Sequence, residues 1–370
     1  MKILLLTTHL NYGGITSYII SLAQGLIKKG NVVYIASSGG QAQALLKASG
    51  VTCINIPIRT KSEINPKVLI SLFRLKGIVK NNNIDIIHAH TRVTQVLGLL
   101  LSRLTRRAYL STCHGFFKKR FSRLVFPAWG ENVIAISQAV ASHLEQDFKV
   151  NKEAITIIHN GIDYEKFLSA DSQDKENIRR EFHLPIDTQL VGMVARLSKV
   201  KGHTFLISAM PRILKDCPRV NFLIVGDGRL KNELESGVKK LGVEKSVFFI
   251  PNQPDTIKIL SIMDCVVSPS VQEGLGLSIL EAQAAGVPVV AFATGGIVSL
   301  IENERTGLLV KPLDINALAE TLIRLLGDAK LRQRLIKDAR LNVMENFNTG
   351  RTVEATNNLY SKILKVSLRQ

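Results

Sequence analysis

The amino-acid sequence predicts an α/β protein with two domains, each built around a mainly parallel sheet. Three observations predict this fold class. Short apolar runs typical of strands alternate with helical patterns in both halves of the chain, a glycine-rich turn follows the first strand of each half, and 370 residues are enough for two domains at roughly 100–200 residues each. Because strands that alternate with helices form βαβ units, the sheets are expected to be parallel.

The first domain is predicted to span residues 1–165. Its first helix covers residues 15–29 and ends before Gly30, as is typical of a helix C-terminus. Six strands are predicted from short runs rich in β-branched and aliphatic residues, at 2–7, 31–36, 51–56, 84–88, 108–113 and 133–137.

A polar, charged stretch at residues 166–185 is predicted to be a linker region with room for a short helix. The alternation then restarts in a second domain, residues 186–351. Its predicted strands are 190–195, 221–225, 247–250, 265–268, 287–292 and 307–310. The clearest helical patterns cover 205–214, 229–241 and 315–346, and a last helix runs from 352 to about 368.

Composition and cysteine usage favour a cytoplasmic protein. Hydrophobic residues make up 46% of the chain, but no run approaches the roughly 18 apolar residues of a membrane-spanning helix. The apolar start of the chain is too short for a secretory signal. Four cysteines without a CxxC pair are expected to be reduced core residues.

Positive charge is concentrated in one segment. The net charge is +18, and residues 61–123 contain 13 Lys or Arg but only two acids, Glu63 and Asp85. Aromatic and basic residues mix just after His114, in FFKKRFSRLVF. Such a segment attracts anionic surfaces, either acidic lipid or nucleic acid. An ordinary solvated face is the plainer alternative.

The strongest chemical motif is EGLGLSILE, residues 273–281, which follows a predicted strand and opens a helix. Its glycines let the backbone come close to a ligand, and the N–H groups at a helix N-terminus suit anionic or hydroxyl oxygens. Glu273 and Glu281 are separated by roughly 10 Å along a helix. The two carboxylates are therefore suited to the two ends of one elongated polyhydroxy ligand, whereas two surface acids are the plainer reading.

Two further motifs follow the first strand of each half. Arg196 and Lys201, in ARLSKVKG, place a guanidinium and an ammonium on one turn, as a diphosphate would require. Gly13 and Gly14 fit either phosphate approach at a helix N-terminus or a tight turn.

Histidines stand at the ends of two predicted strands. His114 could move a proton at the sheet edge where α/β ligands bind, whereas His88 and His90 are expected to be core or hydrogen-bonded residues.

Some motifs are missing from the sequence. There is no Asp-x-Asp pair of the kind that holds a divalent ion on a diphosphate, no P-loop and no GxSxG. Gly226-Asp-Gly228 begins like a dinucleotide fingerprint, but Lys231 stands where the third glycine belongs. A metal site, a P-loop kinase and a serine hydrolase are therefore not predicted.

Taken together, these segments resemble retaining GT-B glycosyltransferases of family 4, also called group 1. EGLGLSILEAQAAGVPVVA is similar to the family's E-x7-E segment, and ARLSKVKG to its GRLxxxKG segment. NYGGITSYI, IHAH, STCHG, IIHNGID and GLLVKPLD continue the resemblance in family order over nearly the whole chain. The resemblance implies two facing Rossmann-like domains with a cleft between them, and a C-terminal helix, 352–370, that packs back on the first domain. It also implies sugar transfer with retention of configuration and without a metal or other cofactor.

The resemblance also implies roles for individual residues. Arg196 and Lys201 would neutralise the diphosphate of a nucleotide-sugar donor, and Gly14 would let the first domain approach it. Glu281 would accept hydrogen bonds from the ribose. His114 would lie beside the transferred sugar near the reacting centre.

Glu273 would position that sugar and is, with His114, a catalytic candidate. The sugar hydroxyls would also meet the backbone amides of Gly274, Leu275, Gly276 and Leu277. Two positions depart from the family pattern, because Ala195 and Pro251 stand where the family often has glycine. The base of the nucleotide is therefore open, with a UDP-sugar as the preferred prediction.

The acceptor is predicted from the basic segment 61–123. This segment indicates docking on an anionic membrane at the inner face of the plasma membrane, and hence a lipid-linked acceptor such as a lipopolysaccharide core or another cell-envelope glycolipid. Three alternatives are open: a soluble glycosyltransferase with a small acceptor, a nucleotide-sugar epimerase of the same fold, and a non-enzymatic anion- or nucleic-acid-binding protein. No nucleic-acid-binding motif supports the last.

Overall fold

The structure, a computed structural model, describes residues 1–253 and 255–367. Among these residues are thirteen strands: β1 (Lys2–Leu6), β2 (Val32–Ser37), β3 (Thr52–Asn55), β4 (Ile86–Ala89), β5 (Ala108–Cys113), β6 (Val133–Ala135), β7 (Ile155–Ile157), β8 (Gln189–Val194), β9 (Val220–Val225), β10 (Val247–Ile250), β11 (Cys265–Ser268), β12 (Val289–Phe292) and β13 (Leu308–Val310). The α-helices in the same part of the chain are α1 (Gly14–Lys28), α2 (Gln43–Ala48), α3 (Pro66–Asn81), α4 (Arg92–Thr105), α5 (Phe121–Val125), α6 (Gln138–Phe148), α7 (Tyr164–Leu168), α8 (Lys175–Glu181), α9 (His203–Asp216), α10 (Lys231–Lys240), α11 (Thr256–Ser261), α12 (Leu277–Ala284), α13 (Ile297–Leu300), α14 (Ile315–Gly327), α15 (Ala329–Asn346) and α16 (Thr349–Ser367).

The chain divides into two compact units. Unit 1 comprises Met1–Gly161 together with the chain from Thr349 onward, and unit 2 comprises Ile162–Asn348. The C-terminal helix α16 therefore belongs to unit 1, although it follows unit 2 in the sequence. Residues 368–370 of the predicted last helix lie outside the described residues.

Unit 1 is built on a seven-stranded sheet in the order β3-β2-β1-β4-β5-β6-β7, and all its strand pairs are parallel. Alternate residues of β1 enter two cores: Ile3 and Leu5 pack with α1 and α16, and Leu4 and Leu6 pack with α3 and α4. The prediction of a parallel sheet is confirmed. The sequence did not indicate β7, because a three-residue edge strand leaves too short a pattern.

Unit 2 is built on a six-stranded parallel sheet in the order β10-β9-β8-β11-β12-β13. The six predicted strands are confirmed. The helix predicted over 315–346 is instead two helices, because Asp328 has an extended backbone that ends α14. Its carboxylate then accepts the N–H of Leu331 at 2.9 Å and so caps α15.

The segment 166–185, predicted as a linker region, is an integral part of unit 2. Arg179 on α8 is buried, and its guanidinium donates to the carbonyl oxygens of Ile186, Thr188 and Ile262 at 2.7–2.9 Å. It also lies 3.3 Å from the carboxylate of Asp264. A guanidinium held by that many acceptors fixes this stretch on the sheet, which local polarity alone does not reveal.

Two of the four cysteines are core residues, and the other two are half-buried. All four cysteines are free, Cys113 and Cys265 are buried, and burial raises the pKa of the Cys113 thiol to about 12. Within residues 1–253 and 255–367, no helix combines the length and the apolar character needed to cross a membrane.

Packing of α1 on α16 depends on a glycine. A Cβ at Gly25 would lie 2.4 Å from a methyl carbon of Val353, which is itself buried. We predict that Gly25→Ala lowers the free energy of unfolding, because overpacking costs about 1–3 kcal/mol and outweighs the gain of about 1 kcal/mol in helix propensity. Thermal or denaturant unfolding measures this change.

The same change in a Val353→Ala background is expected to cost less, because the methyl carbons at 2.4 and 3.0 Å are removed and only the Cβ at 3.1 Å remains. Gly77→Ala in α3 is the matched control: an added Cβ there meets nothing within 4 Å, so only the propensity gain is expected. If Gly25→Ala behaved like Gly77→Ala, the close approach would be disproved.

Candidate functional site

The predicted donor motifs of unit 2 lie on two loops that leave adjacent strands. Residues 195–202 follow β8 and residues 269–276 follow β11, and these two strands are neighbours in the sheet. The strand order reverses at this point, since β9 and β10 lie on one side and β12 and β13 on the other. In open parallel sheets, ligands bind at the carboxyl ends of the strands at such a switch point.

The two loops are in direct backbone contact. The N–H of Val271 donates to the carbonyl oxygen of Val200 at 2.9 Å. Gly202 has φ +77°, and a Cβ there would lie 1.9 Å from the carbonyl oxygen of Pro269. Only glycine satisfies both the backbone conformation and the close approach.

This contact brings Lys201 and Glu273 together. The ammonium of Lys201 and a carboxylate oxygen of Glu273 are 2.5 Å apart, and their side chains are only 24% and 15% exposed. Ser270 places its hydroxyl 3.4 Å from the same oxygen. The sequence analysis assigned Lys201 to the diphosphate of a donor and Glu273 to its sugar. In the structure the two residues form one ion pair.

Arg196 lies on the same loop but does not join this pair. Its side chain is exposed, and it forms no ion pair with any residue in the described part of the chain. Its neighbour Leu197 is buried and donates its N–H to the carbonyl oxygen of Asp227 at 2.9 Å, which fixes the loop beneath the guanidinium. Arg196 is therefore a cation with a fixed backbone and a side chain open to a ligand.

The incomplete dinucleotide fingerprint has a structural purpose. Added Cβ atoms at Gly226 and Gly228 would lie 2.2 Å and 2.1 Å from the carbonyl oxygens of Ala195 and Leu197. These two glycines therefore let the loop after β9 support the Arg196 loop. The sequence shows that both glycines directly follow a predicted strand, which indicates a tight turn or close approach. It does not show that the loop they approach is the one that carries Arg196.

Helix α12 begins at the end of the Glu273 loop. Gly276 is the residue before the helix and has a left-handed backbone, φ 108°. The first N–H groups of the helix, at Leu277 and Ser278, have no carbonyl one turn earlier to bind. The carbonyl oxygen of Glu273 accepts the N–H of Gly296 at 2.8 Å, so a third loop holds this turn in place.

The third loop again approaches through a glycine. A Cβ at Gly296 would lie 2.1 Å from the carbonyl oxygen of Gly274. Of the predicted sugar-binding positions, Leu275 is buried and Leu277 is half-buried. Their side chains therefore contribute to packing, and only their backbone groups are candidates for contacting a sugar. The sequence did not single out Gly296.

Glu281 lies on the second turn of α12. Burial raises the pKa of its carboxyl group to about 7, and a hydrogen bond to the Thr256 side chain opposes this rise. A carboxyl group with such a pKa changes its charge near neutral pH. The sequence did not indicate Thr256, which belongs to α11 and reaches the site only through the fold.

Unit 1 also has its candidate residues after β1 and β4, which meet at its switch point, and after the adjacent strand β5. Gly14 is the first residue of α1, after β1, and is exposed. His90 and His114 follow β4 and β5. Within unit 1, the structure therefore places Gly14 and His114 at the same edge of the sheet, as the sequence predicts.

His114 belongs to a cluster with His88, His90, Tyr18 and Tyr360. His88 lies 2.6 Å from the Tyr360 hydroxyl and 2.7 Å from the Thr112 hydroxyl, so its hydrogen-bonded core role is confirmed. His90 Nδ1 and His114 Nε2 are 3.3 Å apart. The rings of Tyr18 and His114 pack edge to face with centroids 4.9 Å apart.

The histidines of this cluster are neutral at physiological pH. Burial lowers the pKa of His114 to about 3, and burial together with the neighbouring histidines holds the pKa values of His88 and His90 well below the usual range. His114 is therefore suited to hydrogen bonding as a neutral imidazole and not as a cation.

Comparison with known proteins identifies the family. The family model "Glycosyl transferases group 1" matches residues 174–342, and the model "Glycosyltransferase Family 4" matches residues 12–166. The UDP-Gal:α-D-GlcNAc-diphosphoundecaprenol α-1,3-galactosyltransferase of Escherichia coli is 31% identical over 312 residues, which are 80% of this chain and 79% of that enzyme. A D-inositol 3-phosphate glycosyltransferase of Corynebacterium glutamicum is 27% identical over 94% of this chain and 91% of its own.

A solved structure shows the same fold. HepE of Anabaena, crystallised in complex with UDP and glucose, matches with a TM-score of 0.84 over 98% of this chain and 100% of its own, at 23% identity. With two parallel α/β units and both family models matched, the chain belongs to the group 1, or family 4, glycosyltransferases of GT-B fold, which transfer a sugar from a nucleotide sugar.

Proposed function

We propose that this glycosyltransferase moves a sugar from a UDP-sugar to a lipid-linked glycan acceptor, with retention of anomeric configuration and without a metal. The observation that carries the donor half of the proposal is the half-buried ion pair of Lys201 and Glu273 at the switch point of unit 2. The Escherichia coli relative is named for UDP-galactose and the Anabaena structure contains UDP, which favours uridine as the base.

The cations of the β8 loop suit the leaving diphosphate. When the bond between the anomeric carbon and the phosphate oxygen breaks, negative charge grows on that phosphate, and fixed cations stabilise it most where water is scarce. Lys201 is held in place by Glu273, and the exposed guanidinium of Arg196 can form two parallel hydrogen bonds to phosphate oxygens. The acceptor hydroxyl forms the new bond to the anomeric carbon, and its proton passes to the leaving phosphate oxygen on the same face.

Glu273 and the start of α12 suit the transferred sugar. A carboxylate that already accepts from Lys201 and Ser270 has remaining lone pairs for a sugar hydroxyl. The backbone N–H groups of the Gly274–Leu277 turn would donate to other hydroxyls. Glu281, one further turn along, would accept from the ribose in its ionised form.

Gly14 and His114 stay proposals for unit 1. Each stands in a loop after a strand of the first sheet, and Gly14 leaves backbone N–H groups at the start of α1 without a side chain over them. His114 would act as a neutral hydrogen-bonding partner of the sugar.

The acceptor half of the proposal rests on exposed apolar side chains in and just after the basic segment. Seven large apolar side chains there are 51–89% exposed, a face that we call the basic–apolar face: Ile64, Leu69, Ile70, Phe73, Phe121, Leu124 and Val125. Five of them lie within residues 61–123, which contain 13 Lys or Arg, and Leu124 and Val125 follow directly. Exposed apolar groups ringed by cations suit an anionic lipid surface, where apolar groups insert and cations meet headgroups.

Side-chain hydrogen bonds hold this face together. The carboxylate of Glu63 accepts from the Ser122 hydroxyl at 2.9 Å and from Arg92 at 3.3 Å. Ile64 and Phe121 are the chain neighbours of Glu63 and Ser122, so the same contact fixes the loop before α3 beside α5. Desolvation acts to raise the pKa of Glu63, but the hydrogen bonds and the charge of Arg92 outweigh it, so the pKa is lowered. Glu63 is therefore ionised at neutral pH, and the contact persists there.

Removing Arg196 tests the leaving-group chemistry. We expect Arg196→Ala to lower kcat by roughly 10²–10³-fold, because one donor to the developing charge is lost. The measurement is UDP release from a UDP-sugar with a membrane lipid extract as acceptor. Lys215→Ala removes an exposed cation of α9 as the matched control, and unchanged turnover in Arg196→Ala would contradict the proposed role. UDP-sugar conversion without any acceptor would instead indicate an epimerase.

Protonation of Glu281 gives two pH effects of opposite sign. Its folded pKa of about 7 lies above the usual glutamate value of 4.5, so its stabilising contribution, on the order of 3 kcal/mol, is full below pH 4.5 and is lost as pH rises through 7. Affinity for UDP is expected to rise over the same range, because the ionised carboxylate accepts from the ribose.

Denaturant unfolding and UDP titrations between pH 4.5 and 8 measure both effects. Glu281→Gln should remove the pH dependence of both the unfolding free energy and the UDP affinity. Glu233 is an exposed glutamate of α10, and Glu233→Gln should leave both pH dependences as in the parent protein. A UDP affinity independent of pH in the parent protein would rule out the ribose contact through Glu281.

The basic–apolar face predicts binding to anionic vesicles. We expect sedimentation with phosphatidylglycerol vesicles at low salt, weaker binding at high salt, and at least a roughly tenfold loss in Phe73→Ala/Phe121→Ala because two exposed rings can no longer insert. Val298→Ala, which removes an exposed side chain of unit 2, is the control. Equal binding by the double variant and the parent would exclude this face and favour a small soluble acceptor.

A further inference from the structure

Unit 1 has a large groove at the edge of its sheet opposite to His114. The groove has a volume of about 1040 Å³ and is lined by residues that immediately precede strands, such as Arg107 before β5, Asn132 before β6 and Ala154 before β7. His114 follows β5, at the carboxyl edge. The groove is therefore separate from every residue assigned above to donor or sugar binding.

Two buried N–H donors in the groove wall have no acceptor. The indole Nε1 of Trp129 and the Nε of Arg107 are both inaccessible, and neither has a hydrogen-bond partner among the described residues. Trp129 is 3% exposed. The wall therefore has polar atoms just beneath its surface, each left unpaired at a cost of roughly 1–3 kcal/mol.

The groove is also strongly cationic. Its lining includes five cations, Arg103, Arg106, Arg107, Lys149 and Lys362, and one acid, Glu131. None of the six forms an ion pair within residues 1–253 and 255–367. Elsewhere in unit 1, Glu63 pairs with Arg92 and Asp147 pairs with Lys119. The groove therefore has charge to offer to an anion.

Two of these cations occupy backbone positions that favour glycine. Arg106 ends α4 with φ 53°, and Lys149 ends α6 with φ 56°. A left-handed conformation costs an ordinary residue about 1–2 kcal/mol, whereas glycine adopts it without strain. Glycine at either position would therefore remove the charge without straining the backbone.

Part of the remaining wall is apolar. It includes Val125 and Phe126, the Trp129 ring, and Ile363 and Val366 of α16. Val125 also belongs to the basic–apolar face, so the groove opens beside that face. A volume near 1000 Å³ is at the upper end for drug-sized ligands and exceeds what a bare phosphate needs.

We propose that this groove binds one anionic phospholipid, with its phosphate on the cations at the ends of α4 and α6 and part of its acyl chains on the Trp129 wall. The site goes beyond the transfer reaction and does not depend on which sugar or acceptor is used.

The chain's single tryptophan reports directly on the groove. Trp129 fluorescence is followed while dioctanoyl phosphatidylglycerol is added below its micelle concentration. We expect a saturable change with this lipid, and none with dioctanoyl phosphatidylcholine or with glycerol phosphate at the same concentrations. No saturable change, or an equal change with the zwitterionic lipid, overturns the proposal. Saturation by glycerol phosphate alone overturns it in favour of a small-anion site.

Variants separate binding from folding. Arg106→Gly/Lys149→Gly removes two cations and two strained residues, so we expect roughly tenfold or weaker lipid binding with a melting temperature that is unchanged or raised. Lys28→Ala/Lys29→Ala, at the exposed end of α1, should bind lipid as the parent does. Unaltered lipid affinity in the glycine variant contradicts the site.

UDP-induced thermal stabilisation is measured in parallel in these variants. It should be the same in all of them, so that failure of the donor proposal and failure of the lipid proposal give different results.

Discussion

The reversal of strand order between β8 and β11 is the constraint on which the donor-site candidate depends. Two neighbouring parallel strands leave the sheet of unit 2 at the same edge, and their chains then turn to opposite sides. The gap between them is where backbone from distant parts of the sequence can meet around a ligand. Lys201 and Glu273, 72 residues apart, form an ion pair because of this geometry.

Glycines make that meeting possible at three successive contacts. Gly202 lies against Pro269, Gly226 against Ala195, and Gly296 against Gly274, each where a Cβ would overlap a carbonyl group. The loops thereby support one another through backbone, and the side chains of Arg196, Lys201 and Glu273 are left for chemistry. A site held in this way is preorganised, which lowers the reorganisation needed when charge develops on a leaving phosphate.

The two edges of the unit 1 sheet have contrasting electrostatics. At the carboxyl edge, burial keeps His88, His90 and His114 neutral, so that region offers hydrogen bonds without charge. At the amino edge, unpaired cations line a groove beside exposed apolar side chains. The same sheet therefore presents uncharged hydrogen-bonding groups at one edge and cations at the other, since both edges are built from loops that the strands hold in place.

The sequence by itself determined the fold class, the parallel sheets, twelve of the thirteen strands and the candidate donor residues, because apolar periodicity and glycine-flanked motifs are local signals. It could not determine that residues 166–185 belong to unit 2, since the reason is the burial of Arg179 among carbonyl groups distant in sequence. It also missed the break at Asp328 and the short edge strand β7. Only the tertiary structure decided that Lys201 pairs with Glu273, that Glu281 titrates near neutrality beside Thr256, and that Trp129 and Arg107 share a groove. These properties depend on distance and desolvation between separate chain segments, which no local pattern encodes.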